Sequence, residues 1–292
     1  PLDGVDESDL DWVVLTMATR PLELERALDS IESQQLAGRA RAVVVANGAD
    51  LAMVMAARQH AEVIYLPENV GIPAGRHIGI SAAATSVVGL LDDDAELTPE
   101  VSAKVLAAFA ADDRLGAIAL RLIDEDGETT RRHVPRVGGT GVELWGEVTF
   151  FVGAAHAIRA EAYRDAGGYF GDLWYGHEEI EFSWRLIDAG WKISYLADAI
   201  AFHPRTEISR HPDGWRLTGR NRVWIARRTL PWPIAIIHVV LWLLLGVRRA
   251  PGGCRRAYVR GWLSGWRGPI EHRPIGWRTV WRLTRLGRPP VI

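Results

Sequence analysis

Residues 86–97 read SVVGLLDDDAEL, an apolar run that ends in three consecutive acids, Asp92, Asp93 and Asp94. The run has the length and β-branched content of a buried strand. A core strand has no use for such an ending. At roughly 5 Å and an effective dielectric near 20, each ionised pair repels by about 3 kcal/mol before screening. A divalent cation would offset that repulsion, because Mg²⁺ and Mn²⁺ take carboxylate oxygens together with substrate phosphates. A solvated turn that merely collects Asp is the bland alternative.

Toward the N-terminus, strands are expected at WVVLTMA (12–18), RAVVVANGAD (41–50) and EVIYLPEN (62–69). Helical spacing separates them: Leu24, Ala27, Leu28 and Ile31 recur within 19–35, and further helices are expected over 51–61 and 73–85. Toward the C-terminus come a helix near 99–115, the strand GAIALRLI (116–123) and a polar, Gly-rich segment (124–141) that reads as a mobile loop. A strand, turn and helix over 148–169 follow, then an amphipathic helix over 177–191 and a late strand, KISYLADAIAFHP (192–204). Strands alternating with helices imply an α/β fold, with a mostly parallel central sheet covered on both faces. Ligands of such sheets bind beyond the carboxyl ends of the strands, which is where the three aspartates fall.

A chain of 292 residues, 48% hydrophobic and 24% charged, is globular and long enough for a large α/β domain with an appendage. Its net charge of −2 conceals an asymmetry. Residues 205–292 carry 18 Arg against Glu207, Asp213 and Glu271, a balance of +15, which leaves −17 to residues 1–204. Residues 1–215 are therefore taken as one domain and 216–292 as a helical, Trp- and Arg-rich extension. Within the extension, residues 233–247 are apolar and lie between arginine clusters, and eight of the 13 Trp follow residue 200. Fifteen helical residues span about 22 Å, short of the roughly 30 Å hydrocarbon core. Flanking Arg and Trp fit peripheral contact with an anionic membrane. A buried helix or a homodimer interface is the alternative. The acidic body weighs against nucleic acid as a partner. Cys254 is the sole cysteine, and the acidic start PLDGVDESDLD has no apolar leader segment, so a cytoplasmic setting is expected, at the inner face of the cytoplasmic membrane.

Two further groups carry chemistry. In HEEIEFSWR (177–185), Glu178, Glu181 and Arg185 share one side of a helix, while Glu179 points about 100° away. An acid in such a partly apolar helix can have a raised pKa and act as a general base. His203 closes the last apolar strand, where it is either a metal ligand or an ordinary satisfied histidine.

In this order, the pieces resemble glycosyltransferase family 2, the inverting nucleotide-sugar transferases of the GT-A fold. The resemblance covers about residues 11–205 and rests on VVLTMATRP, VVVANG, NVGIPAGRHIGI, LLDDDAEL and GGYFGDLWYGHEEIEFSWRLIDAGWKISYLADAIAFH. It implies that Thr16, Thr19, Arg20, Asn47, Gly71, Gly75, Arg76, Asp92 and Asp93 line the nucleotide site. It places Asp94 and His203 on a divalent metal, Mn²⁺ or Mg²⁺. Glu179 is implied as catalytic base with Glu178 close behind, and Trp174, Tyr175 and Glu181 would face the acceptor or sugar. Ala46, His77 and Glu179 depart from the family pattern, which keeps a catalytically inactive nucleotide-sugar-binding module as the alternative. The implied reaction is a single displacement from a nucleotide-diphosphate sugar onto an acceptor hydroxyl. The basic tail suggests a cell-envelope glycan or polyprenyl-linked acceptor, against a soluble natural product as the other option.

Overall fold

The computed structural model describes residues 7–50, 61–205 and 211–291. The helix expected over 51–61 falls almost wholly outside them. The strands are β1 (Leu10–Thr16), β2 (Ala40–Asn47), β3 (Glu62–Leu66), β4 (Val87–Asp92), β5 (Glu96–Leu97), β6 (Leu115–Ile123), β7 (Gly146–Val148), β8 (Ala155–Arg159) and β9 (Lys192–Phe202). Helices α1 (Pro21–Glu32), α2 (Ile72–Ala82), α3 (Val101–Ala111), α4 (Ala160–Asp165) and α5 (Glu178–Asp188) are interleaved with them. Four more follow the sheet: α6 (Gly214–Thr229), α7 (Trp232–Arg249), α8 (Arg255–Ser264) and α9 (Trp277–Arg285).

The strand order is β3-β2-β1-β4-β8-β6-β9-β5, with β7 also beside β9. β3, β2, β1 and β4 run parallel, as the strand–helix alternation predicts. Beyond β4 the sheet is more mixed than expected. β8 enters antiparallel between β4 and β6, and β5 and β7 both pair antiparallel with β9. β8 returns against β4 instead of crossing over, so its direction reverses.

Alternation along the strands divides the core in two. Val13, Val43, Val45, Val88 and Leu90 face one apolar cluster, while Trp12, Val14, Val44, Val87 and Leu91 face the other. The second cluster is sealed by α1 and α3 through Leu24, Leu28, Val101 and Val105. The first holds Phe151, Phe182 and Trp184 together with Val223, Ile225, Val239, Val280 and Leu283 of the C-terminal helices. Burying each such side chain contributes about 1.5–3 kcal/mol. The composition changes near residue 216, but the packing does not: the extension shares its core with the sheet.

The apolar helix α7 is longer than the sequence pattern suggests, 18 residues from Trp232 to Arg249. It is long and apolar enough, by length and composition, to cross a membrane, with 22% of it buried inside the protein. Ala235, His238, Val239 and Gly246 turn inward, whereas Ile236, Ile237, Val240 and Leu244 are exposed. Segment 124–141, expected as a mobile loop, folds into two short 3-10 turns (Arg131–His133 and Val137–Gly139) and inserts His133 and Val134 into the interior. An apolar residue and a histidine within the polar run anchor it.

Candidate active site

β1 and β4 are adjacent and parallel, so their carboxyl ends bring Thr16 and Asp92–Asp94 together. Thr16 Oγ1 donates to Asp93 at 2.6 Å and Arg20 Nη2 donates to the other oxygen at 2.5 Å. Burial still pushes the Asp93 carboxyl up to about 6, against the pull of Thr16 and Arg20. Arg20 also bonds Asp94. Asp92 accepts from Arg76 Nη2 at 2.7 Å. Two guanidinium groups thus answer part of the repulsion that the sequence poses.

The remainder has the shape of a metal site. Ligand atoms of Asp92, Asp94 and His203 lie within 4.8 Å of one another. His203 Nε2 is 3.6 Å from Asp94 and 4.0 Å from Asp92. Two carboxylate oxygens and one imidazole nitrogen suit Mn²⁺ or Mg²⁺, and such a set leaves about three of six positions for phosphate oxygens and water. Asp92, expected to line the nucleotide site, belongs to this cluster as well.

The β4 tip opens into a cleft of two chambers. The first, about 210 Å³, is lined among others by Thr16, Thr19, Arg20, Asn47, Gly71 and Trp174. The second, about 690 Å³, takes in Asp94, His203, Gly153, Glu178 and Glu179. Arg76, Asp92 and Tyr175 border both. Asn47 accepts the Val70 amide at 2.9 Å and donates to Asn69, which accepts the Gly71 amide at 2.8 Å. Gly71 has φ +84°, and a Cβ there would come within 2.8 Å of the Trp174 ring. Trp174 therefore packs on the backbone and lines the first chamber at the same time.

Arg76 is the hinge between the chambers. It is buried on α2 and donates to the Gly153 carbonyl at 2.9 Å and to Glu178 at 3.2 Å. Glu179 Oε1 stands 3.7 Å from it. Both glutamates occupy the first turn of α5, after Gly176 and His177 in left-handed conformation (φ 75° and 76°). Backbone amides of that turn favour carboxylates. Burial and mutual repulsion raise the Glu178 carboxyl, and burial raises Glu179, with Arg76 opposing in each case. The Glu178 side chain is 2% exposed and that of Glu179 21%, so Glu179 is the more accessible of the two from the second chamber.

Two expected site residues are placed elsewhere. Glu181 is fully buried beneath the cleft, where Arg185 bonds both its oxygens at 2.8 and 2.5 Å and Arg228 adds a contact at 3.1 Å. Helical spacing turns it one face away, so it lines neither chamber. Gly75 also lines neither: a Cβ there would meet Leu15 at 2.4 Å, so this glycine lets α2 pack against β1. His77, on the outer face of α2, bonds the Tyr163 hydroxyl at 2.9 Å.

The sequence pattern passed over several cleft residues. Asn69 stands inside the quoted NVG stretch, but Gly153, Arg132, His133 and His211 had no motif to announce them. Asn221 of α6 donates to the carbonyls of Leu173, Tyr175 and Gly176 at 2.9–3.0 Å and so fastens the loop that leads into Glu178. Only the RNR run at 220–222 hinted at a polar role there.

Known proteins agree with this architecture. Two curated proteins of Mycobacterium tuberculosis (strains CDC 1551 / Oshkosh and ATCC 25618 / H37Rv), each a pre-mycofactocin glycosyltransferase, are 27% identical over 192 residues, 61% of this chain. The chain spans 37% of their length. Among solved structures, GalNAc-T7 with UDP, GalNAc and Mn²⁺ superposes with a TM-score of 0.64 at 16% identity, covering 87% of this chain and 54% of that one. S. aureus TarS 1–349 in complex with UDP gives 0.60 at 13% identity, over 87% and 78%. These likenesses show the GT-A fold. The family model for glycosyl transferase family 2 matches residues 12–167, more than half of the sequence and nearly all of the parallel half of the sheet, and the chain belongs to that family.

Proposed function

We propose that the protein is an inverting, metal-dependent glycosyltransferase that moves a sugar from a nucleotide-diphosphate donor to an acceptor hydroxyl. The observation that carries this reading is the opening of Glu179 into the same chamber as Asp92, Asp94 and His203. The first chamber takes the nucleoside, bounded by Asn47, Thr19 and Trp174, and Arg20 meets the diphosphate. GalNAc-T7 and TarS were both crystallised with UDP, the former also with Mn²⁺, which supports a nucleoside diphosphate here.

Glu179 accepts the proton of the acceptor hydroxyl, its raised pKa suiting it to that transfer. The hydroxyl oxygen then bonds the anomeric carbon as the bond to the diphosphate oxygen breaks, and the electron pair leaves with the diphosphate. One attack inverts the configuration. Asp92, Asp94 and His203 would hold a divalent cation, which when bound would supply Lewis-acid neutralisation of charge on the diphosphate. Arg76 pins Glu178 and Asp92 and so fixes the distance between the two chambers. Tyr175 offers an aromatic wall to the sugar.

We place the protein at the cytoplasmic face of a membrane. Support comes from the exposed ridge Ile236, Ile237, Val240 and Leu244, with Trp232, Trp277 and Trp281 also exposed on the arginine-rich extension. Buried residues on the opposite side of α7 fit a helix lying on the surface. Flotation with anionic liposomes tests this, and absence of binding at low salt removes it. The catalytic reading is tested by incubating the chain with nucleotide sugars, Mn²⁺ and candidate acceptors, and determining the anomeric configuration of any product by NMR. Nucleotide-sugar binding without release or transfer would leave an inactive binding module, and a retained configuration would exclude the single displacement.

A further inference from the structure

Beside the cleft, between segment 131–139 and α7, lies a second cavity of about 640 Å³. Arg131, Arg132, Arg136, Arg249 and Arg288 line it, together with the apolar Phe150, Trp242 and Leu245. Among the described residues that line it there is no Asp or Glu. Arg136 is committed to the Gly141 carbonyl at 2.9 Å and to the face of Tyr195. Arg131 and Arg249 are exposed, Arg249 with its guanidinium 5.3 Å from the Trp242 ring centroid. Behind Trp242 stands a further guanidinium, Arg222. It is 6% exposed, stacks 3.4 Å from the Trp242 ring, and has no hydrogen-bond partner at Nε or Nη1. Burial, with Arg288 and Arg249 close by, pushes it down to about 9. A protein does not gather that much like charge around an apolar floor for stability alone, since each added cation raises the cost of the next. An anion with apolar substance attached meets both demands.

The cavity also has a direction. Arg132 belongs to its wall and to the wall of the chamber that holds Glu179. On α7, Trp242, Leu245 and Arg249 share one side of the helix and, with Phe150, give the cavity an apolar wall turned away from the exposed Val240 and Leu244. We propose that this groove takes the phosphate or diphosphate group of an amphiphilic acceptor, with the apolar chain against Phe150, Trp242 and Leu245 and the accepting hydroxyl passing Arg132 toward Glu179. The orientation of the acceptor rests on the transferase reading above; the binding of a phosphate-bearing amphiphile does not.

Binding is therefore measured apart from turnover, using radiolabelled farnesyl diphosphate and the full chain, with farnesol and inorganic pyrophosphate as competitors. Saturable binding is expected, with each competitor at least about tenfold weaker than the intact probe. Arg131→Gln and Arg249→Gln, both exposed positions, should each weaken the probe by about tenfold or more. Arg20→Gln, in the first chamber, should leave probe binding in place. Absence of saturable binding overturns the proposal. So does loss of probe binding in Arg20→Gln with no effect of Arg131→Gln and Arg249→Gln, because the probe would then occupy the donor chamber. Pyrophosphate binding as tightly as the intact probe would make the site one for free phosphate and also overturn it. Glu179→Gln separates the two readings: it should stop transfer and leave the probe bound.

Discussion

On the side of the cleft proposed for the donor, each acid at the tip of β4 has an arginine of its own or shares one at close range. Asp93 and Asp94 meet Arg20, and Asp92 meets Arg76. On the side proposed for the acceptor, Glu178 and Glu179 share Arg76, at 3.2 and 3.7 Å. In the proposed function the incoming phosphates add to this negative charge, which Arg20, Arg76 and a metal on Asp92, Asp94 and His203 would balance. Around Glu178 and Glu179, burial outweighs the pull of Arg76 and lifts both carboxyls, which suits one of them to take up a proton. One side chain, Arg76, couples the two regimes.

The largest effect expected is from removing the proton acceptor. Glu179→Gln should lower kcat by about 10²- to 10⁴-fold while nucleoside diphosphate affinity holds. Equal losses in both would merge the two sides into one binding surface. Glu178→Gln should cost less, because its carboxylate serves mainly to seat Arg76. Next comes Gly153→Ala, whose added Cβ would fall 2.1 Å from Glu179 Oε1 and 2.9 Å from Arg76 Nη1. Displacing the base by about 1 Å should cost about 10²-fold in kcat. Steady-state kinetics showing an unchanged kcat would mean that Glu179 does not need that place.

The comparison can be sharpened through stability. Glu181→Ala leaves Arg185 and Arg228 facing each other without their acid, which should cost about 3–5 kcal/mol of unfolding free energy. Its KM values should not move; a shifted donor or acceptor KM would return Glu181 to the site. The smallest effect is a slope. Because the folded-state pKa of Glu178 is raised, the folded state binds more protons than the unfolded one between the two values. That contribution to stability is complete below the unfolded pKa and is lost as pH rises through the folded one. Glu178→Gln should flatten this slope in urea titrations at several pH values. In kinetics the same raised carboxyls set the acid limb: kcat/KM should fall as pH drops through a value above the ordinary carboxylate range.

Much of the donor side was legible in the sequence because it is local. A strand, a turn and a run of acids lie within a dozen residues, and the alternation of strands with helices places their ends together. The acceptor side is assembled from distant pieces. Gly153 matters only because Glu179, 26 residues on, leans over it, and Asn221 fastens a loop some 45 residues earlier in the chain. The same distance effect hid the setting of Glu181, whose two arginine partners are one turn and 47 residues away. The C-terminal helices looked separable by charge and composition, yet packing against Phe182 and Trp184 makes them part of the same core. Charge asymmetry reports on surface, and most of those arginines are at the surface.

The most direct test of the account is anomalous diffraction at the manganese edge, on crystals soaked with Mn²⁺ and UDP. A single peak bounded by Asp92, Asp94 and His203, with the diphosphate against it and Glu179 across the same chamber, is the predicted result. A peak elsewhere, or a diphosphate bound away from the tip of β4, would contradict it.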